Sequence, residues 1–139
     1  MKAVMRLLAT PSGILVARTI LDTLAHRLVL QTLYEASGGM WRPASEMSPL
    51  LVGLVSVLLA ALFVAGYSLF VRPKSTRAGL GFGGLLGVAL GASSGFGTYI
   101  HSPIPSRLAW GWFVLGAIKG IVAGAILGLL LRESPPSSN

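Results

Sequence analysis

Three long stretches with almost no charged residues dominate this chain of 139 residues. Residues 49–71 and 78–100 carry no charge, and residues 106–131 carry only Arg107 at the start and Lys119 near the middle. Each stretch is as long as the about 20 apolar residues that a helix needs to cross a bilayer. Only 11% of the residues are charged, against about 25% in soluble domains. The sequence therefore predicts an all-α, polytopic integral membrane protein.

A fourth membrane-spanning helix is expected over residues 14–34. This segment is long enough, but it carries four ionisable residues: Arg18, Asp22, His26 and Arg27. A central Arg or Asp costs about 2.5–3.5 kcal/mol on insertion, against a gain of about 0.5 kcal/mol per Leu. The segment must therefore turn its polar side toward other helices, and the alternative is that it lies at the interface. Residues 1–132 then form one four-helix domain, and the polar tail at 133–139 is expected to be disordered.

The basic residues lie mainly at the ends of the apolar stretches, where they indicate orientation. The opposite loops hold only Arg42 and Arg107. Loops rich in Lys and Arg stay in the cytoplasm, so both termini and the 72–77 loop are expected on the cytoplasmic side of the membrane. The net charge of +7 then indicates acidic lipid headgroups as partners and not nucleic acid. Six basic residues fall before the first span, between the second and third, or after the fourth: Lys2, Arg6, Arg72, Lys74, Arg77 and Arg132.

Five aromatic residues fall at the opposite end of these predicted helices. Tyr and Trp side chains prefer the headgroup level of a membrane, because one part of the ring system is apolar and another is polar. We therefore expect a belt at the membrane interface, and not a ligand cage. The belt residues are Tyr34, Trp41, Tyr99, Trp110 and Trp112.

The chain offers little material for catalysis. It contains no cysteine, two histidines and four acidic residues, which makes a metal site hard to assemble. The glycine-rich run that begins at Gly79 follows no predicted strand, so it is not a nucleotide-binding motif. The short apolar run before Pro11 does not have the features of a signal peptide. We expect no enzyme activity, no metal and no cofactor.

Glycines repeat every four residues in the last two predicted helices. A four-residue step keeps positions on one face of a helix, and a face without side chains lets a second backbone approach closely. The second predicted helix offers a matching small row at Gly53, Ala61 and Ala65. One interpretation is packing among helices two, three and four, and the other is that one row docks against another protein. The two glycine ladders are Gly79, Gly83, Gly87, Gly91, Gly95 and Gly116, Gly120, Gly124, Gly128.

Arg18, Asp22 and His26 are spaced by four residues, which places them on one stripe of the first predicted helix. At about 1.5 Å per residue, Asp22, His26 and Lys119 lie at overlapping depths in the membrane. A buried charge must be paired, so we expect Asp22 to pair with Lys119 or Arg18. The alternatives for this polar cluster are an ion pair that fixes helix register, a proton or ion relay, and, least favoured, metal binding or catalysis.

The order of several short motifs resembles that of a known group of proteins. Its elements are Asp22-Thr-Leu-Ala-His26, Tyr34, Trp41-Arg42-Pro43, a Gly-rich helix that ends at Thr98-Tyr99, Pro103-Ile-Pro105 and a Trp-rich last helix. This order is similar to that of small bacterial four-helix membrane proteins with no assigned function. The resemblance implies four helices and an inner-membrane location, and it implies no activity and no site residues.

Two functions are compatible with these features. The first is an accessory subunit that docks into a larger membrane assembly, such as a respiratory or photosynthetic complex, through its small-residue helix faces. The second is a small oligomeric transporter of a proton, an ion or a solute that uses the polar cluster of Arg18, Asp22, His26 and Lys119.

Overall fold

The structure, a computed structural model, describes residues 2–133, except for the side chains of residues 2–5, 7 and 44. This part of the chain is helical and contains no strand. Two π-helical turns, Ala25–Val29 and Ser93–Gly97, join α1 to α2 and α4 to α5, and a short 3₁₀ helix covers Ala44–Glu46. The helices are α1 (Lys2–Leu24), α2 (Gln31–Ala36), α3 (Pro49–Phe70), α4 (Thr76–Ala92), α5 (Thr98–His101) and α6 (Ser106–Leu130).

Among the described residues, three helices are long and apolar enough to cross a membrane. They are α3, the continuous run Thr76–His101 that comprises α4 and α5, and α6. The predictions of an all-α chain and of three apolar helices are therefore confirmed. The predicted polar tail lies outside the described residues, apart from Glu133.

The first helix begins at Lys2 and continues through Pro11, so it extends well ahead of residue 14, where the predicted span begins. Proline lacks the N–H that would bond the carbonyl one turn earlier. Hydroxyl groups on both sides of Pro11 donate to neighbouring carbonyls of the same turn, with Thr10 Oγ1 2.6 Å from Arg6 O and Ser12 Oγ 3.1 Å from Leu8 O. These bonds add polar partners to the turn that proline weakens, and the helix continues.

Helix α6 lies at the centre of the bundle, antiparallel to α1 on one side and to α4 on another. Along α1 and the π-helical turn that follows it, Gly13 lies near Ile126, Asp22 contacts Lys119, and Leu30 packs on Gly111. In each pair the two residue numbers add to about the same sum, as they must when two helices run antiparallel over their whole contact. Helix α1 and this turn thus follow α6 over most of its length.

The bundle has two chemically different ends. One end, the basic end, holds the start of α1, the loop between α3 and α4, and residues after α6, including Arg6, Arg72, Lys74, Arg77 and Arg132. The other end, the aromatic end, holds Tyr34, Trp41, Tyr99, Trp110 and Trp112. Each end has an apolar core, centred on Tyr67 and Leu127 at the basic end and on Leu108 and Ile104 at the aromatic end.

Helix α3 joins the bundle only over its second half. Ala60, Phe63, Val64 and Tyr67 are all buried, and they pack against α1 and α6. The first half is exposed on every face, since the six consecutive residues 50–55 are all exposed and together cover more than one helical turn. Helix α3 therefore leaves a gap between itself and the other helices toward the aromatic end.

Candidate intramembrane binding site

Three side chains converge on Asp22 near the middle of α6. Lys119 donates to Asp22 Oδ1 over 2.7 Å, and His26 Nε2 lies 3.8 Å from the same oxygen. Arg18 Nε lies 3.7 Å from Oδ2, beyond hydrogen-bond length, and this buried nitrogen has no hydrogen-bond partner. The structure thus brings together all four residues of the predicted polar cluster, and it leaves donor capacity on Arg18.

A hydrogen-bonded chain links Trp112, Tyr34 and His26. Trp112 Nε1, which can only donate, donates to Tyr34 Oη over 2.6 Å. The hydroxyl hydrogen of Tyr34 is then free to be donated to His26 Nδ1, which lies 2.6 Å away. With Nδ1 accepting, the neutral imidazole carries its proton on Nε2. That N–H faces Asp22.

A partly open cavity of about 260 Å³ lies beside this cluster, between α1, α3, α4 and α6. Arg18, His26 and Lys119 line it together with Trp112 and Ser94. The remaining wall is apolar and comes from side chains such as Leu21, Leu59, Phe63, Leu90 and Leu115. The charged groups therefore line a cavity whose wall is mainly hydrophobic, which is the usual composition of a small-molecule site.

Each glycine ladder lies against the other. A methyl group added at Gly83 would come within 2.6 Å of Gly124 Cα, and one at Gly87 within 2.7 Å of Gly120 Cα. Equally close backbone contacts continue along both ladders, although toward the aromatic end Gly91 and Gly95 meet the backbone of Phe113 and Ala109. Both ladders are thus occupied by one helix pair, and neither is free for a partner.

The small row of the second apolar helix takes no part in this packing. Gly53, Ala61 and Ala65 of α3 are all exposed, and nothing lies within 4 Å of a methyl group placed on Gly53. The interpretation that helices two, three and four pack through small residues is therefore wrong for α3. Its buried face is formed instead by larger side chains, with Phe63 and Tyr67 packed against Phe82 of α4.

The five predicted belt residues divide into two groups. Tyr99 and Trp110 are exposed at the aromatic end, as residues of an interface belt would be. Tyr34, Trp41 and Trp112 are only partly exposed and pack together, with ring centroids 5.3 to 6.3 Å apart. Neither Tyr34 nor Trp112 belongs to the polar cluster that the sequence predicts, although Tyr34 follows His26 by eight residues.

Comparison of the chain with protein-family models, with curated proteins and with solved structures gives no significant match. The arrangement of the site therefore has to be interpreted from its own chemistry. Among residues 2–133 no three His, Asp or Glu side chains lie close enough together to hold a metal ion. What the site offers is one carboxylate, one imidazole, two cations and a cavity.

Proposed function

We propose that the chain is a small four-span membrane transporter whose binding site is the cluster of Arg18, Asp22, His26 and Lys119. The observation that carries this proposal is the charged cavity at mid-helix depth. Ionisable groups inside a membrane are costly and therefore rare, and those that occur commonly mark substrate or proton pathways. An ion pair that served only helix register would need no cavity beside it.

The fourth span is supported by the contacts of α1 with α6. Lys119 lies near the middle of α6, and it bonds to Asp22 of α1. If α6 crosses the bilayer, then α1 and the π-helical turn after it, which follow α6 from Gly13 to Leu30, cross the same layer. The polar stripe of α1 becomes less costly there because Asp22 pairs with Lys119 of α6 and lies beside Arg18.

We place the basic end in the cytoplasm of a bacterium. In addition to the basic residues described above, the basic end holds one acidic residue, Glu133. The aromatic end holds two basic and two acidic residues: Arg42, Arg107, Glu35 and Glu46. The excess of Lys and Arg is the feature that orients helices in the inner membrane. The same end would contact anionic headgroups of the inner leaflet.

A proton is the first cargo to test, because the chain from Tyr34 through His26 to Asp22 joins groups that can give and accept protons. It begins in the aromatic cluster and ends at the middle of the bundle. The core around Tyr67 and Leu127 closes the opposite half. Binding in the middle with one half closed is the arrangement that alternating access requires.

The accessory-subunit hypothesis keeps its negative support, the absence of a recognisable catalytic motif in the sequence. It loses the two glycine ladders as docking surfaces, because they are used inside the chain, and it keeps the exposed small row of α3 at Gly53, Ala61 and Ala65. Copurification of a defined membrane partner in mild detergent would restore it.

The test of transport is proton flux into liposomes that contain the purified chain, driven by a potassium diffusion potential and reported by an internal pH dye. We expect flux above that of protein-free liposomes, and we expect Asp22→Asn to abolish the excess because the amide cannot carry a proton. Thr23→Val is the matched control, since Thr23 is the next residue and is exposed on the outer side of α1. Wild-type flux equal to that of empty liposomes contradicts the proposal.

A further inference from the structure

The cavity beside Asp22 opens sideways, and the exposed half of α3 is the reason. Helix α3 contributes Leu59, Ala60 and Phe63 to the wall and nothing closer to the aromatic end. At the level of Ser94 the wall is therefore missing on the α3 side, and Ser94 and Leu90 are both exposed. If α3 and α6 cross the bilayer, this opening faces lipid acyl chains and not water.

Apart from the hydroxyl of Ser94, which donates to Gly91 O, the polar side chains that line the cavity are donors. Arg18 has a buried, unpartnered Nε–H, and Lys119 carries an ammonium group. In the tautomer in which Nδ1 accepts from Tyr34, the His26 donor is Nε2–H. The one carboxylate of the cluster, Asp22, is not part of the cavity wall and already accepts from Lys119. A ligand must therefore supply acceptor atoms.

The charge of the site defines the ligand further. Arg18 and Lys119 contribute two positive charges and Asp22 one negative charge, so the cluster carries one unbalanced positive charge when His26 is neutral. Such a charge in an apolar container requires one anionic partner. The cavity, at about 260 Å³, is just below the about 300–1,000 Å³ of common ligand pockets. It can accept a headgroup and the first part of a chain.

We propose that this cavity binds the oxyanion of a monoanionic amphiphile that enters from the bilayer between α1 and α4. Its acyl chain lies in the lateral opening, and its oxyanion accepts hydrogen bonds from Arg18 and Lys119. A fatty carboxylate and the phosphodiester of an anionic lipid share this chemistry. The proposal rests on the proposed function only in taking the same cluster as the binding site, and it requires no flux.

The test uses the fluorescence of Trp112, which lines the cavity. Trp41→Phe and Trp110→Phe together leave Trp112 as the single reporter, and the probe is α-bromopalmitate, whose bromine next to the carboxylate quenches nearby indole. The chain has no cysteine with which an α-bromo acid could react. We expect saturable quenching in maltoside micelles, and only unsaturable quenching by the methyl ester. Equal quenching by acid and ester overturns the proposal.

A charge-matched pair of variants separates binding from damage to the fold. Lys119→Met leaves Arg18 balanced by Asp22, and we expect the loss of the unbalanced positive charge to weaken the binding of α-bromopalmitate at least about tenfold. Asp22→Asn combined with Lys119→Met restores one unbalanced positive charge, and we expect binding to return to within about threefold of the parent. Failure of the double variant to bind while it remains monodisperse, like unchanged binding by Lys119→Met, overturns the proposal.

Competition identifies the source of the oxyanion. Relief of quenching by oleate identifies a fatty carboxylate, relief by dioleoylphosphatidylglycerol identifies a lipid phosphodiester, and relief by neither overturns the proposal. The two proposals can fail separately. Asp22→Asn removes the proton carrier and keeps the positive charge, so we expect it to abolish proton flux and to retain binding of α-bromopalmitate. If the wild-type protein binds α-bromopalmitate but shows no proton flux, transport is contradicted and the amphiphile site stands.

Discussion

Two glycines of the same helix have different surroundings. Gly83 lies against the backbone of Gly124, where an added methyl group would meet Cα at 2.6 Å. Gly81, two residues earlier and on the other side of α4, is exposed, and nothing lies within 4 Å of the corresponding position. The composition of the helix does not distinguish these two residues, but their position relative to α6 does.

This difference gives a matched pair of substitutions. Gly83→Ala must push α4 away from α6, and overpacking of this kind costs about 1–3 kcal/mol. Gly81→Ala adds its methyl group on the exposed side, where alanine is favoured over glycine in a helix by up to about 1 kcal/mol. In thermal unfolding in detergent we expect the melting temperature to fall for the first variant and to stay level or rise for the second. Equal effects of both would show that the close contact does not matter for stability.

The sequence predicted the residues of the polar cluster but not its connection to the aromatic end. In a regular α-helix, residues eight apart are offset by about 80° around the axis, so Tyr34 is not expected to face His26. His26 itself lies in the π-helical turn Ala25–Val29, whose wider turns rotate less per residue and so reduce this offset. No pattern in the sequence announces a π-helical turn, and this part of the site could not be predicted.

At the scale of helices, a small contact joins the loop before α4 to the end of α6. Lys74 Nζ lies 3.3 Å from Glu133 Oε1, the Lys74 N–H donates to Glu133 Oε2, and the Glu133 N–H donates back to Lys74 O over 3.2 Å. The backbone and side-chain donors of Lys74 hold the pKa of Glu133 below its ordinary value. The glycine contact between α4 and α6 begins next to this Lys74–Glu133 pair, at Gly79 and Gly128.

The pKa of Glu133 sets the sign of a pH dependence. A depressed pKa means that the carboxylate stabilises the folded state above its ordinary pKa and loses this contribution as the pH falls through the lowered pKa. We expect Glu133→Gln to melt at a lower temperature than wild type at neutral pH, and the two curves to converge in acid. Added salt should shrink the difference, because the pair is exposed. A difference that persists in acid would contradict an ionic origin.

Which helices pair could be predicted only in part. The four-residue glycine step indicated that α4 and α6 each have a face for close approach, and the structure directs the two faces to each other. The row on α3 has the same kind of spacing but is exposed, because the bulky Phe63 and Tyr67 lie on the opposite side and fill the core. Small size at regular spacing permits a contact, whereas burial of large side chains decides whether the contact forms.

For the whole molecule, the number of crossings is open to direct measurement, since the chain has no cysteine. We expect a cysteine introduced by Ser45→Cys or Ser102→Cys to react with an impermeant maleimide in intact bacterial cells. A cysteine placed ahead of Met1 should react only after the membrane is made permeable. Labelling of the Met1 position and of Ser45→Cys from the same side would show that the first helix does not cross.

Because the glycines of α4 and α6 recur every four residues, their contact repeats along the helix axes. A shift of four residues, about 6 Å along the axis, brings most glycines of one helix opposite glycines of the other again. Contacts that depend only on small size therefore assign nearly equal energies to neighbouring alignments. The alignment is selected by contacts that do not repeat, such as Lys74 with Glu133 at one end and Phe96 with Trp110, at a centroid distance of 4.9 Å, at the other. A few side chains at the margins of the helix pair thus determine a register that its long central contact leaves degenerate.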